Sequence, residues 1–151
     1  MNNAIKWAGW VILLLIFGLD LYLLVTGSAW LERPLDAGGV FPIGTLVGWS
    51  FLIAWPLLFL LLMPKARPGR LPGAYRALRF VRLMLWIALL LGLGWGFCGR
   101  LASGNWANSF ANSPRAWQVF TIWSGAILFL PLLAFLIWAI AWLFQRARSH
   151  S

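Results

Sequence analysis

Acid is scarce in this chain: three carboxylates, Asp20, Glu32 and Asp36, stand against twelve Lys and Arg. Cysteine and histidine are scarcer still, with Cys98 and His150 alone. One thiol closes no intrachain disulfide and makes no dithiol couple. Metal and haem sites inside membranes draw on His, Cys and Met. With three Met and one remote His, no resident metal, haem or other cofactor is expected. A Ser/His/Asp set cannot be built around His150. The two neighbouring acids, Glu32 and Asp36, share one short loop, and no GxxxxGK[ST] phosphate cradle occurs. The expectation is a protein that is not an enzyme.

What the chain has instead is apolar length. It is 62% hydrophobic and 10% charged, with a mean hydropathy of +0.85, where soluble domains average about 45–50% apolar and about 25% charged. The apolar residues fall into four runs, approximately 7–27, 40–63, 80–99 and 117–144. Some twenty helical residues rise about 30 Å, enough to cross a hydrocarbon core. The first run outlasts the h-region of a signal peptide and contains Asp20, so it reads as an uncleaved span. The fold class expected is all-α: a polytopic membrane protein whose single domain is an antiparallel bundle of four transmembrane helices.

The connections are 28–39, 64–79 and 100–116, and charge assigns their sides. Residues 64–82 hold half of the cationic side chains: Lys65, Arg67, Arg70, Arg76, Arg79 and Arg82. Lys6 precedes the first run and Arg146 and Arg148 follow the last, whereas residues 28–39 carry a net −1 from Glu32, Asp36 and Arg33. Cationic loops stay in the cytoplasm. Both termini and the basic loop are therefore expected inside, with the other two loops outside, in a bacterial inner membrane. This bias accounts for the formal charge of +9 without a nucleic-acid partner. Arg76, Arg79 and Arg82, at intervals of three, are candidates for contact with anionic lipid head groups or a partner protein.

Glycine and proline mark the packing. Gly44 with Gly48, and Gly92 with Gly96, are small-xxx-small pairs that let another helix approach closely. The pattern predicts close packing within the chain, with other membrane subunits or through self-association. Pro56 and Pro131 lie inside the second and fourth runs and are expected to kink them. The chain has twelve Trp. Trp49, Trp55, Trp95, Trp123 and Trp138 fall deep within the runs, where each indole N–H needs an acceptor; backbone carbonyls released by Pro56 and Pro131 are candidates. Residues 100–116, rich in Asn and Ser, read as a solvated connector.

Asp20 is the one acid within a run, about 20 Å along its helix from Trp7. An intramembrane carboxylate is a functional candidate by default. Three readings compete: a pair with Arg100 at the end of the third run, a protonatable coupling site, or a hydrated carboxylate near the interface. Small multidrug exporters resemble the chain in size and four-span layout and use one glutamate in their first span, but no motif around Asp20 matches theirs. Three functions are carried forward. The leading one is a non-catalytic accessory, assembly or anchoring subunit of a membrane complex. The second is a small oligomeric transporter or channel using Asp20. The third is a membrane immunity or regulatory protein.

Overall fold

The computed structural model describes residues 3–27, 29–36, 38–63, 72–110 and 113–148. It contains four helices: α1 (Asn3–Thr26), α2 (Ile43–Leu62), α3 (Pro72–Ser103) and α4 (Pro114–Arg148). All four are long and apolar enough to cross a membrane, so the chain reads as a multi-pass membrane protein. Lys65, Arg67 and Arg70 lie outside the described residues.

Two helices are longer than the apolar runs that nucleate them. α3 has 32 residues, about 48 Å at the helical rise, and its first turns occupy residues expected to be loop. Pro72 opens it, at the position where a missing N–H costs no hydrogen bond. At its other end Gly104, at φ +77°, donates its N–H to the Arg100 carbonyl over 3.0 Å and stops the helix. α4, with 35 residues, likewise begins on a proline. Pro56 and Pro131 are fully buried, and each helix continues through its proline.

The four helices expected from the sequence are present, and they are not packed alike. α2, α3 and α4 pack on one another, whereas α1 packs on α2 alone among the described residues. Two apolar clusters fill the three-helix unit. Leu60, Val81, Leu85, Leu89 and Ala134 meet toward the α2–α3 connection, and Leu52, Trp95, Phe120 and Ile127 meet toward the other end. Apolar burial alone is a weak force against lipid, so fit and hydrogen bonding must hold the helices together. Both are visible at Gly92. The ring of Pro56 deprives the Leu52 carbonyl of its intrahelical donor, and a Cβ on Gly92 would meet that oxygen at 2.8 Å. α3 thus lies backbone to backbone against the interrupted turn of α2. A Cβ on Gly96 would run into the Trp49 ring at 2.5–2.7 Å, and one on Gly48 would touch Trp95 at 3.5 Å. Gly44 meets no helix. Its close neighbour is the Leu31 backbone of the first loop, whose carbonyl accepts the Gly44 N–H over 2.8 Å.

Four deep indoles stitch this unit. Trp49 of α2 donates to the α3 carbonyls of Gly92 (2.9 Å) and Leu93 (3.2 Å). Trp55 of α2 donates to Leu128 of α4 over 3.0 Å. Trp95 of α3 donates to the Ser124 hydroxyl over 2.8 Å, and Trp123 of α4 to Leu91 of α3 over 2.9 Å. Every pair among the three helices is bridged. The acceptors are not the carbonyls of Leu52 and Ile127, four residues before each proline, that proline release would supply. Three of the four indoles use carbonyls that also belong to the helical ladder, with a second lone pair to offer, and Trp95 uses the Ser124 hydroxyl.

Candidate functional site

α1 offers almost nothing to the rest of the chain except its acid. Of its described side chains only Asp20 is buried, at 6% exposure. Next to it α1 is held by Phe17, stacked on Phe51 (5.0 Å between centroids) and Trp55 (5.5 Å) of α2. The Ser50 hydroxyl of α2 donates to the Asp20 carboxyl group. The other carboxyl oxygen, Oδ2, is buried without a hydrogen-bond partner among the described residues. Ser50 also lines a groove of about 470 Å³ between α1 and α2, walled otherwise by apolar residues including Leu13, Ile16, Trp49 and Ile53.

The structure does not bring Asp20 to Arg100. α1 makes no contact with α3, and the Arg100 guanidinium sits 5.9 Å from the centre of the Trp106 ring. Charge complementarity singled out Arg100, but helix placement pairs the acid with a serine. The nearness of a hydroxyl at position 50 to an acid at position 20 leaves no periodic signature in the sequence. Arg76 and Arg79 are exposed on the first turns of α3, with Arg79 5.9 Å from the Tyr75 ring centre, and Arg82 is half-buried.

The two loops at the opposite end of α3 are built structures. In the first, Asp36 Oδ1 accepts the N–H groups of Val40 (3.0 Å) and Phe41 (2.9 Å). Leu35 N–H donates to Phe41 at 2.7 Å and Ile43 N–H to Arg33 at 2.9 Å, which folds the loop back on itself at Gly39, φ +69°. These amide donors, that of Phe41 first, hold the Asp36 carboxyl below its ordinary range. The Arg33 guanidinium covers the Trp30 ring at 4.4 Å.

The second loop was expected to be a solvated connector, and its polar residues are largely bonded to one another. The Asn105 side chain accepts the Ser109 N–H and donates to the carbonyls of Ser103 and Ser109, at 3.1–3.2 Å. The Ser103 hydroxyl reaches the Gly99 carbonyl at 2.7 Å. Thr45, buried at the start of α2, donates its hydroxyl hydrogen to the Trp106 carbonyl over 2.6 Å. Asn108, at φ 52°, presses its Oδ1 onto Gly99, where a Cβ would collide with it. α2 thereby receives both loops on its first turn, through Gly44 and Thr45.

Between the loops lies a pocket of about 530 Å³, lined among others by Glu32, Thr45, Trp95, Asn108, Trp117 and Phe120. None of these residues except Trp95 and Trp117 stood out in the sequence for more than its loop context. The available signal was the concentration of aromatic residues on either side of the Asn-rich loop. Phe110 and Phe120 of that region are 5.1 Å apart, Phe110 and Trp117 5.4 Å, and Trp95 and Phe120 5.2 Å. Among the described residues no three His, Cys, Asp or Glu side chains gather in a metal-binding group. No protein-family model, curated protein or solved structure matches the chain.

Proposed function

We propose that this protein is a non-catalytic subunit of a membrane complex, acting as an accessory, assembly or anchoring component of a bacterial inner membrane. The observation that carries this reading is Asp20 Oδ2, a buried carboxyl oxygen with no partner among the described residues. The deep indoles Trp49, Trp55, Trp95 and Trp123 all reach acceptors within the chain. An unsatisfied polar group in hydrocarbon costs several kcal/mol, and a donor from a second membrane protein would satisfy it once α1 shifts on α2 to uncover the carboxyl group. α1, resting on α2 alone, leaves room for such a helix. The cytoplasmic placement of both termini and of the 64–82 segment belongs to the same proposal. There the exposed Arg76 and Arg79 face anionic head groups or an acidic partner.

The test is isolation from native membranes in mild detergent, comparing the natural chain with Asp20→Leu. The expected result is a partner at fixed stoichiometry that is lost with the variant while the variant's own helicity and yield hold. A chain that always runs as a lone monomer overturns the reading.

A second reading rests on the same acid. Ser50, which hydrogen-bonds Asp20, lines the groove between α1 and α2, an arrangement a small oligomeric transporter or channel could use for coupling or selectivity. In that case Asp20→Asn abolishes flux through reconstituted vesicles with the fold intact, and normal flux in that variant removes the reading.

A further inference from the structure

We infer that the pocket between the two loops binds a small organic ammonium, a protonated amine carried on a short apolar or aromatic body. The inference is independent of whether the protein is a subunit or a transporter.

Charge comes first. In a chain with three acids, one of them, Glu32, lines this pocket, and among the described residues no Lys, Arg or His does. Arg33 covers Trp30 at 4.4 Å and Arg100 lies over Trp106 at 5.9 Å, and neither these two nor Arg115 lines the pocket. Glu32 has no ion pair among the described residues. Glu32, exposed at the pocket wall, supplies the one charge among the described lining residues, and that charge favours a cation over an anion.

Hydrogen bonding points the same way. Thr45 spends its only hydroxyl hydrogen on the Trp106 carbonyl. Its oxygen can therefore offer a ligand lone pairs but no proton. With Glu32, that gives the pocket acceptors suited to N–H donors. The walls are aromatic: Trp95, Phe120 and Trp117, held in a tilted series through Phe110 at centroid spacings of 5.1–5.4 Å. Aromatic faces attract ammonium groups and accept an apolar body equally well. Among the described residues no three His, Cys, Asp or Glu side chains gather there to hold a metal ion. The volume, about 530 Å³, falls within the range of about 300–1,000 Å³ usual for small-molecule sites.

An ammonium group at this position has two sources, a free amine or the head group of an aminophospholipid. The experiment separates them. The full chain is placed in nanodiscs of pure phosphatidylglycerol and titrated calorimetrically with phenethylammonium, with phenethyl alcohol and phenylacetate as neutral and anionic counterparts. Saturable binding of the ammonium is expected, with the alcohol weaker by about tenfold or more and phenylacetate inert. Glu32→Gln should weaken the ammonium by about tenfold, and Glu32→Asp, which keeps the charge, should largely retain it. Trp117→Leu should weaken both the ammonium and the alcohol. Repeating the titration with phosphatidylethanolamine in the discs assigns the source: competition identifies the head group as an occupant, and unchanged affinity identifies a free amine. The inference is overturned if the alcohol or phenylacetate binds as well as the ammonium, if Glu32→Gln binds unchanged, or if no saturable heat appears in phosphatidylglycerol discs.

Discussion

α1 and the α2–α4 unit are written in nearly the same alphabet and held in opposite ways. In the three-helix unit, glycines sit where a neighbour touches them, and indole N–H groups cross from helix to helix. On α1, Gly9 and Gly18 have nothing within 4 Å of where a Cβ would stand. Its one buried side chain is charged in water, and its apolar residues face outward. The difference teaches that hydropathy states whether a helix can enter a membrane, while small residues and hydrogen-bonding rings state which helices stay together once there.

The sharpest way to break the comparison is to exchange glycine for leucine on each side of it. Gly92→Leu must displace the α2 backbone at Leu52, and the overpacking should cost about 1–3 kcal/mol or more. Thermal unfolding in detergent, followed by loss of helicity, is the measurement. Gly18→Leu should leave the same transition within about 0.5 kcal/mol, because the new side chain enters open space. A Gly18→Leu variant as unstable as Gly92→Leu would mean that α1 is packed as tightly as the others.

Next in size are the indole bonds. Trp123→Phe keeps a ring and removes the N–H that reaches Leu91, and a loss of about 0.6 kcal/mol, the mean for interhelical bonds in a membrane protein, is expected. Trp55→Phe tests α2 against α4 in the same assay. Removing Trp7, an exposed residue of α1, should shift nothing in that transition.

How much of this was legible beforehand follows from the same contrast. Four spans could be read because length and hydropathy decide them. That α1 stands apart could not, since the exposed Leu14 and the buried Leu85 are the same residue type. Glycine spacing marked close approach, but not that Gly44 would receive a loop backbone, Gly96 an indole ring and Gly92 a proline-freed carbonyl. The demand of each deep indole for an acceptor was readable. Which acceptor it found depends on helix rotation, which the spacing of Trp49 or Trp123 does not specify. The pocket was hidden because its residues come from positions 32, 45, 95, 108, 117 and 120, and only folding brings them together.

The smallest effect sharpens the comparison at the loops. Amide donors hold the Asp36 carboxyl below its ordinary range. A depressed carboxylate favours the folded loop at pH values above its unfolded pKa, and that contribution fades as pH falls through the folded value. The protection of the Val40 and Phe41 amides, which bond to Asp36, against hydrogen exchange relative to the intrinsic rate should therefore be high at neutral pH. It should fall as acid passes through the lowered range, and Asp36→Ala should show low protection at every pH. Amides within α2–α4 should not follow this profile.

The order of synthesis gives the indole bonds a further meaning. Trp49 lies 43 residues before its α3 acceptor at Gly92, and Trp55 lies 73 before Leu128. At ribosomal rates of about 5–20 residues per second, Trp55 waits roughly 4–15 seconds for its partner to be made. The contact of Asp20 with Ser50 is available as soon as the first two helices exist. The contacts of α1 with α2, Asp20 on Ser50 and Phe17 on Phe51 and Trp55, can thus form while α2 still has two unpaired indoles to offer. The helix that holds α1 so lightly is the one that must remain open to the two still to come.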